Sequence, residues 1–458
     1  MAVVGGGIAG LSAAHRVRTL LGPSVTVTVL EAGDRVGGML RTVQLAGTAY
    51  DVGAEAFLAR RPEMMDLLDE LGLGDQLVHP GPARPAVLAG GHVRDLPGGT
   101  VLGVPSSARS LRALVSPDAL AWVATEPQRP WSWQAGADLT VRELVSERLG
   151  PEVLARSVEP LLGGVYAGSA DSLGVRATLP TLAAALDAGA PGLLAAAAAA
   201  LGPPTPNVPV FGAVRGGYEV LLRALVTDIA VALRAPVTSV VRAGRRWAVT
   251  VHGRAQEYDA VVLAVPAPML ATLLTQVDLT AAAAVAGVAL ASVAVVGLAY
   301  RAAAELPATS GLLVATGEGL HAKAFTHSSR KWAHLGGAPQ LLRASVGRFG
   351  GPDVGDVDDD ELVARVRADL ASVHGLRATP LDAVVARWPA ALPQYGPAHG
   401  QRVAQLEQAV ARHPGLAVAG CVLHGVGVGA CIATGWSAAR SVVDYLNTPD
   451  AAGEAVAR

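Results

Sequence analysis

The fold of this chain is decided close to its first residue, by the stretch AVVGGGIAGL at positions 2–11. Two valines precede the glycines, and an apolar helical pattern follows them. Gly5, Gly7 and Gly10 have the GxGxxG spacing, in which the first glycine permits a tight strand-to-helix turn. The second glycine lets backbone approach a pyrophosphate, and the third lets the helix pack closely on the strand. This order of strand, glycines and helix indicates a dinucleotide-binding unit.

A second strand and an acidic residue complete the unit. Residues 25–30 alternate as a strand that ends at Glu31, twenty-one positions after Gly10. A carboxylate there accepts hydrogen bonds from ribose hydroxyls, and the helix N-terminus presents the positive end of its dipole to the pyrophosphate. The alternative is a glycine turn that only packing requires. The cofactor contacts expected from this unit are Gly5, Gly6, Gly7, Ile8, Ala9, Gly10, Glu31 and Ala32.

A second glycine-rich segment, DRVGGMLRT at positions 34–42, follows the acid. Its glycines expose backbone N–H groups, and Arg35 and Arg41 add positive charge beside phosphates. The pattern Arg-x-Gly-Gly-x-x-x-Thr resembles the second FAD fingerprint of amine-oxidase-like flavoproteins, so we expect FAD rather than NAD. The segment DVGAEA at 51–56 resembles the part of those proteins that passes the isoalloxazine ring. The resemblance implies flavin contacts from Arg35, Gly37, Gly38, Met39, Gly53, Ala54, Glu55 and Ala56.

The resemblance extends over nearly the whole chain, and it is strongest to bacterial coproporphyrinogen III and protoporphyrinogen oxidases. The segments that carry it are VEPLLGGVYAG at 158–168, FGAVRGGY at 211–218, WPAALPQY at 388–395 and GVGVGACI at 425–432. It implies further flavin contacts from Val237, Trp388, Gly427, Val428 and Gly429. Neither Cys421 nor Cys431 lies in a convincing attachment motif, so we expect the FAD to be held without a covalent bond.

The fold class that follows is α/β with mixed α+β character. We expect a Rossmann-like FAD-binding domain made of residues 1–60, 206–265 and 405–458, interleaved with a substrate domain made of 61–105 and 266–404. The substrate domain should contain a mixed sheet, and residues 106–205 should form a mostly helical insert. The N-terminal unit needs partner strands, for which 237–265 and 416–420 are the best candidates. A helix is expected over 218–233.

The resemblance also implies a reaction, the oxidation of coproporphyrinogen III to coproporphyrin III in haem biosynthesis. Six electrons leave the macrocycle in three two-electron cycles, and three dioxygen molecules become three hydrogen peroxide. The flavin does this chemistry, so no catalytic side chain is expected. Gly164, Tyr166 and Ala167 should lie against the macrocycle. Arg60, Arg61 and Arg84 are the candidates to bind propionates, the alternative for each being a solvated surface arginine.

The composition limits partners and location. Lys+Arg 36 against Asp+Glu 38 gives a net charge of -2, which offers no basic surface for nucleic acid. Two cysteines without metal-ligand spacing predict neither a disulfide framework nor a metal site. Residues 281–299 carry no charge, but we expect a helix end followed by a buried strand rather than a membrane span. We expect a cytoplasmic protein, with peripheral membrane contact and transient contact with other haem-pathway enzymes left open.

Four alternatives stay open at this point. The substrate could be protoporphyrinogen IX, which has two propionates and two vinyls where coproporphyrinogen has four propionates. A flavin amine oxidase would need an aromatic cage, and aromatic residues make up only 4% of the chain. A carotenoid desaturase-like enzyme should have an apolar tunnel without arginines. A non-catalytic flavin or porphyrin carrier could keep the fold with a blocked flavin face.

Overall fold

The computed structural model describes residues 1–203, 209–301 and 305–448. The N-terminal unit forms as the glycine pattern predicts. Strand Ala2–Val4 leads through the glycine turn into helix Ile8–Leu21, and strand Thr28–Leu30 then pairs in parallel with the first strand. The chain thus begins with a β-α-β unit.

A five-stranded parallel sheet is built around this unit. From edge to edge its strands are Ala230–Ala232, Thr28–Leu30, Ala2–Val4, Val261–Leu263 and Leu416–Val418. The predicted partner regions 237–265 and 416–420 therefore supply two of the strands. Because the middle strands are apolar and almost wholly buried, both faces must be covered, one by helices and the other by helices together with a small antiparallel sheet. These helices include Ile8–Leu21, Tyr218–Leu225, Ala267–Leu274, Leu279–Ala286, His399–Ala411 and Val428–Asn447.

Two expectations in this region need correction. The helix expected over 218–233 ends at Leu225, and Ala230–Ala232 instead pairs as the edge strand beside Thr28–Leu30. The β-branched run around Val226 and Ile229 suits that extended edge better than another helical turn. Most of 237–265 lies outside the parallel sheet, in an antiparallel sheet of its own. Its strands are Val237–Ala243, Arg246–Val251 and Arg254–Tyr258.

A seven-stranded sheet forms the centre of the second part of the molecule. Its order is Asp382–Pro393, Leu290–Tyr300, Gln340–Val346, Ala322–Thr326, Gly311–Val314, Pro85–Ala89 and His92–Asp95. One pair, Gly311–Val314 with Pro85–Ala89, is parallel and the others are antiparallel, so the sheet is mixed as predicted. Helix Asp359–His374 packs on one face. The opposite face packs against Tyr50 and Val52, at the start of the flavin segment.

The predicted insert is helical and has its own apolar core. Its helices are Pro117–Ala124, Val141–Leu149, Pro151–Val153, Glu159–Tyr166, Val175–Thr178, Pro180–Asp187 and Leu193–Leu201, with a π-helical turn at Leu154–Val158. Short elements join the parts: strands Thr42–Leu45, Thr48–Asp51, Phe57–Leu58, Leu77–Val78, Thr100–Val101, Val104–Pro105 and Phe211–Val214, and helix Ser328–Lys331.

The predicted domain boundaries stay a prediction, with one observation against the first of them. Helix Pro62–Glu70, which we expected in the substrate domain, buries Met64, Leu67 and Leu68 in the core of the nucleotide-binding part. Its packing favours counting it with that part. The expected boundary at 205/206 and the last ten positions lie outside the described residues.

The uncharged stretch 281–299 lies largely in the interior of the protein. It forms most of helix Leu279–Ala286 and of strand Leu290–Tyr300, which is almost wholly buried between two neighbouring strands. The expectation of a helix end followed by a strand is therefore confirmed. Across the three described ranges, the helices are too short or too polar to traverse a bilayer.

Candidate functional site: a flavin cradle

The two glycine fingerprints form one backbone cradle. The N–H of Gly37 donates to the carbonyl of Gly6 at 2.7 Å, and Gly37 also pairs with Gly7 as an isolated parallel bridge. Gly38 approaches so closely that a Cβ on it would lie 3.2 Å from the Cα of Gly7. Segments that are thirty residues apart in sequence therefore meet at one helix N-terminus.

The shape of the cradle fits a pyrophosphate. A Cβ added to Gly10 would fall on the carbonyl oxygen of Gly5, so these glycines are required by packing. At Gly7, by contrast, an added Cβ would meet nothing within 4 Å. That open space lies at the start of helix Ile8–Leu21, whose first turn carries no acidic residue and no side-chain cap. An anion is favoured there by the helix dipole and by free N–H groups.

Glu31 closes the ribose end of the cradle. Its carboxylate accepts hydrogen bonds from the N–H groups of Gly6 at 2.6 Å and Gly33 at 2.7 Å. The backbone N–H of Ala235 donates to the Glu31 carbonyl at 2.8 Å, so the chain leading to Val237 runs beside the acid. The structure thus brings Glu31, Ala32 and the Val237 segment together, as the ribose and adenine of FAD require.

Arg35 has a structural role in addition to the phosphate contact that we predict for it. Its guanidinium donates to the carbonyls of Val36, Leu40 and Gly38 at 3.0, 3.0 and 2.7 Å. Burial, followed by the nearby Arg41, lowers the pKa of the Arg35 side chain. Arg35 therefore holds the second glycine loop in its closed shape.

The flavin segment 51–56 is fixed by close backbone contacts. A Cβ on Gly53 would fall on the carbonyl oxygen of Met39, which accepts a hydrogen bond from Ala54 N–H at 3.2 Å. Trp388 donates its indole N–H to the carbonyl of Val52 at 3.1 Å. Met39, Gly53 and Trp388, predicted from three separate motifs, therefore lie at one place.

Glu55 is held in a hydrogen-bonded network of protein side chains. Its carboxylate accepts from the Lys331 ammonium at 3.0 Å, the Trp332 indole at 2.8 Å and the Ser328 hydroxyl at 3.2 Å. Burial alone would raise its pKa, but Lys331 and Arg343 outweigh burial and lower the pKa to about 2. The Glu55 side chain anchors the segment, which leaves backbone groups of Glu55 and Ala56 to contact a flavin.

Asp51 is a site residue that the sequence reasoning missed. Burial raises its pKa to about 7, against hydrogen bonds from the Thr42 hydroxyl at 2.6 Å and the Tyr218 N–H at 3.1 Å. Arg343, also missed, donates from Nη1 to the carbonyls of Asp51 and Gly53 at 3.1 and 2.9 Å. The available signal for Arg343 was the alternation of strand Gln340–Val346, which places it on the face of Leu341 rather than Leu342.

A second helix N-terminus points into the same site. Gly427 precedes helix Val428–Asn447, and an added Cβ on Gly427 would meet nothing within 4 Å. This helix crosses helix Ile8–Leu21 tightly, because a Cβ on Gly435 would fall on the carbonyl oxygen of Ala9. The crossing packs this helix against the helix that follows the first glycine turn, and flavin contacts from Gly427, Val428 and Gly429 stay a prediction.

Helix Glu159–Tyr166 presents the predicted substrate wall. Gly164 and Val165 are exposed, and a Cβ on Gly164 would lie 3.4 Å from Leu313. Tyr166 instead turns into the insert core, where its ring lies 5.8 Å from that of Tyr395, and burial raises its pKa to about 12. The expected macrocycle contact of the Tyr166 phenol is therefore not supported. Ala167 is also buried: its side chain packs in an apolar cluster, and its carbonyl accepts from the N–H of Phe349 at 2.7 Å.

The three predicted propionate arginines are not brought together. Arg60 and Arg84 are exposed, and no hydrogen bond or ion pair joins either guanidinium to another described residue. Arg61 lies beside Gly429, since a Cβ added to Gly429 would be 3.2 Å from the Cβ of Arg61. The Arg61 guanidinium is 3.9 Å from the Glu63 carboxylate. His424, which precedes the GVGVGACI segment, pairs at the surface with Glu407 at 2.7 Å.

The parallel sheet, the joined glycine turns and the ribose acid together define an FAD-binding oxidoreductase. The family model of flavin containing amine oxidoreductases matches residues 8–443, so the chain belongs to that family. Within it, the chain is a member of the coproporphyrinogen III and protoporphyrinogen oxidase branch. A coproporphyrinogen III oxidase of Mycobacterium tuberculosis is 46% identical over 97% of both chains.

Two further comparisons agree. A protoporphyrinogen oxidase of Macaca fascicularis is 30% identical, with 96% of this chain and 98% of the relative covered. A crystal structure from Exiguobacterium, provisionally described as a protoporphyrinogen oxidase, superposes with a TM-score of 0.85 at 28% identity, covering 98% of each chain. The fold class predicted from the sequence is thereby confirmed, and so is FAD as the cofactor.

Proposed function

We propose that this enzyme oxidises coproporphyrinogen III to coproporphyrin III, with dioxygen as the electron acceptor and hydrogen peroxide as the second product. The observation that carries the proposal is the 46% identity, over nearly full length, to relatives of that name. The flavin cradle is complete in this chain, which supports a catalytic rather than a carrier role.

When bound, FAD accepts two electrons at a time, so three rounds aromatise one macrocycle. The residues of this chain bind and orient the cofactor. Backbone N–H groups of Gly7, Gly38 and Gly427 suit the phosphates, and Glu31 suits a ribose. Arg343 holds the carbonyls of the flavin segment in place, and so would orient the backbone that contacts a bound flavin.

The wall formed by Gly164, Val165 and Leu313 supports a flat apolar substrate, because a glycine lets the macrocycle approach backbone. Neither cysteine is suited to nucleophilic chemistry, since burial raises the pKa of Cys421 to about 11 and that of Cys431 still further. This supports a mechanism without a protein nucleophile, and an FAD held by non-covalent contacts. Both thiols are free, in keeping with the cytoplasmic location that we propose.

The second candidate substrate is protoporphyrinogen IX, favoured by the Exiguobacterium structure and the Macaca relative. It would use the same flavin and the same wall. The two candidates differ at the macrocycle edge, where vinyls replace two charged propionates. The preference between the two substrates therefore depends on which cationic side chains face the edge of the macrocycle.

The experiment uses purified holoenzyme with its absorbance near 450 nm recorded first. Addition of coproporphyrinogen III in air should yield porphyrin fluorescence and three peroxide molecules for each porphyrin. Acid precipitation should release all flavin into the supernatant. A bound flavin with no porphyrin above the rate of autoxidation would refute the proposed activity, and flavin retained on the precipitate would refute non-covalent binding.

A further inference from the structure

Two cations, the half-buried Arg348 and the buried Lys323, lie beneath the proposed substrate wall. Arg348 follows strand Gln340–Val346, and its Nη1 lies 3.0 Å from the Cβ that Gly163 would carry. The next residue, Gly164, is the exposed part of the wall. Arg348 thus reaches from the large sheet to the helix surface on which a macrocycle would rest.

Most donors of this guanidinium are unused. Among the described residues, Arg348 makes one side-chain hydrogen bond, from Nη2 to the carbonyl of Val314 at 3.0 Å. The nearest carboxylate oxygen belongs to Glu159, 4.0 Å from Nη1, which is too long for a hydrogen bond. That oxygen already accepts from the Thr316 hydroxyl at 2.7 Å. A forked donor is therefore left free to take a further carboxylate.

Lys323 stands beside Arg348, and no carboxylate among the described residues pairs with it. It is the extra residue at an irregularity in the pairing of strand Ala322–Thr326 with Gln340–Val346, a feature that redirects side chains. Only 5% of it is exposed, and its ammonium donates to the carbonyl of Gly347 at 2.7 Å. Burial, then Arg348 and Arg343, lowers its pKa to about 7. A buried ammonium among cations is costly unless an anion arrives.

The charges of the neighbourhood leave a positive excess. Glu159 is the carboxylate nearest to Arg348, and it also lies 3.7 Å from Arg142. Arg343 faces the flavin segment, where it donates to the Asp51 carbonyl and lies near the carboxylates of Asp51 and Glu55, the second of which also pairs with Lys331. The remaining excess is at Arg348 and Lys323. A substrate that carries carboxylates would supply the missing charge.

We propose that Arg348 and Lys323 together bind one propionate carboxylate of the porphyrinogen, at the Gly163 edge of the substrate wall. The inference rests on the proposed function and replaces the exposed arginines, as the main anion site, with one half-buried arginine and one buried lysine. A carboxylate paired here would be shielded from water, where charge-assisted hydrogen bonds discriminate more strongly than at the surface.

The test measures binding of coproporphyrin III to holoenzyme by fluorescence, beside its tetramethyl ester in the same mild detergent. Arg348→Gln and Lys323→Met should each weaken binding of the acid by roughly tenfold or more and leave binding of the ester within about twofold. Arg254→Gln, an exposed arginine on the edge strand Arg254–Tyr258, is the matched control. Arg348→Lys should restore part of the affinity, because it keeps the charge.

Two further readouts separate a binding role from a structural one. Lys323→Met should fold with full flavin content and melt at or above the parent temperature, because it removes an unpaired buried charge. In both variants KM for coproporphyrinogen should rise more than kcat falls, because a propionate keeps its charge throughout the reaction. Unchanged acid binding, or equal loss of acid and ester, would overturn the site. A parent enzyme that binds coproporphyrin but does not oxidise coproporphyrinogen would instead overturn the proposed function.

Discussion

Flavin binding depends on glycines such as Gly7, which leave space for the pyrophosphate because they have no side chain. Gly7→Glu should abolish FAD binding, because a carboxylate would stand where the pyrophosphate must approach. Gly7→Ala is the matched control, since an added Cβ meets nothing within 4 Å and most binding should survive. The ratio of absorbance at 450 nm to that at 280 nm after desalting measures both. Full flavin content in the glutamate variant would refute the placement of the phosphates.

A second residue-scale prediction concerns the anchor of the flavin segment. Lys331→Met leaves Glu55 buried without its nearest cation and should cost about 3 kcal/mol of unfolding free energy. The pKa of Glu55 in the folded chain lies near 2, below its ordinary value of 4.5, so its stabilisation is full above about pH 4.5 and is lost as pH falls toward 2. In the variant this pKa should rise, and acid unfolding should begin at higher pH. Urea titrations between pH 3 and 7 measure this, with Glu55→Gln as control. Identical pH profiles of parent and lysine variant would contradict the account.

The residues that could be predicted from sequence are those that backbone geometry dictates. At Gly5, Gly10 and Gly53 any Cβ would overlap a backbone carbonyl oxygen, so only glycine fits. The positions of these glycines in the sequence therefore predict the backbone turns. Arg348 and Lys323 could not be found in this way. A buried arginine and a solvated one look alike in sequence, and the strand irregularity that redirects Lys323 leaves no local pattern.

At the scale of elements, the crossing of two helices positions two phosphate-facing termini. Gly435→Val should force helix Val428–Asn447 away from Ala9, with a cost of about 1–3 kcal/mol and weaker FAD retention. Gly400→Ala is a matched control in helix His399–Ala411, where an added Cβ is unhindered and stability should rise by about 0.5 kcal/mol. Thermal melts and flavin content check both. A valine variant with parental melting and flavin content would show that the crossing is not required.

Helices and strands could be predicted where a long stretch of sequence carries a consistent residue pattern. The stretch 281–299 was read correctly as a helix end and a strand, because alanines give way to β-branched valines. The prediction of a helix up to residue 233 was wrong for a non-local reason, because Ala230–Ala232 pairs as the edge strand of the parallel sheet. Pairing with a strand two hundred residues away overrides local preference.

At the scale of the whole molecule, the interleaving follows from a β-α-β unit that lacks its partner strands. Those strands return at Val261–Leu263 and Leu416–Val418, and five of the seven strands of the large sheet lie between them in sequence. The substrate wall and the flavin cradle are thereby supplied by different parts of the chain. Domain limits could not be derived from this alone, because helix Pro62–Glu70 packs on the nucleotide-binding core even though it follows the flavin segment.

The measurement that tests the central claim most directly is kcat/KM of the holoenzyme for coproporphyrinogen III and for protoporphyrinogen IX, prepared and assayed side by side. The account predicts a preference for coproporphyrinogen of roughly tenfold or more, the value of one further charge-assisted hydrogen bond, with three peroxide molecules released for each porphyrin. Equal values, or a preference for protoporphyrinogen IX, would contradict it.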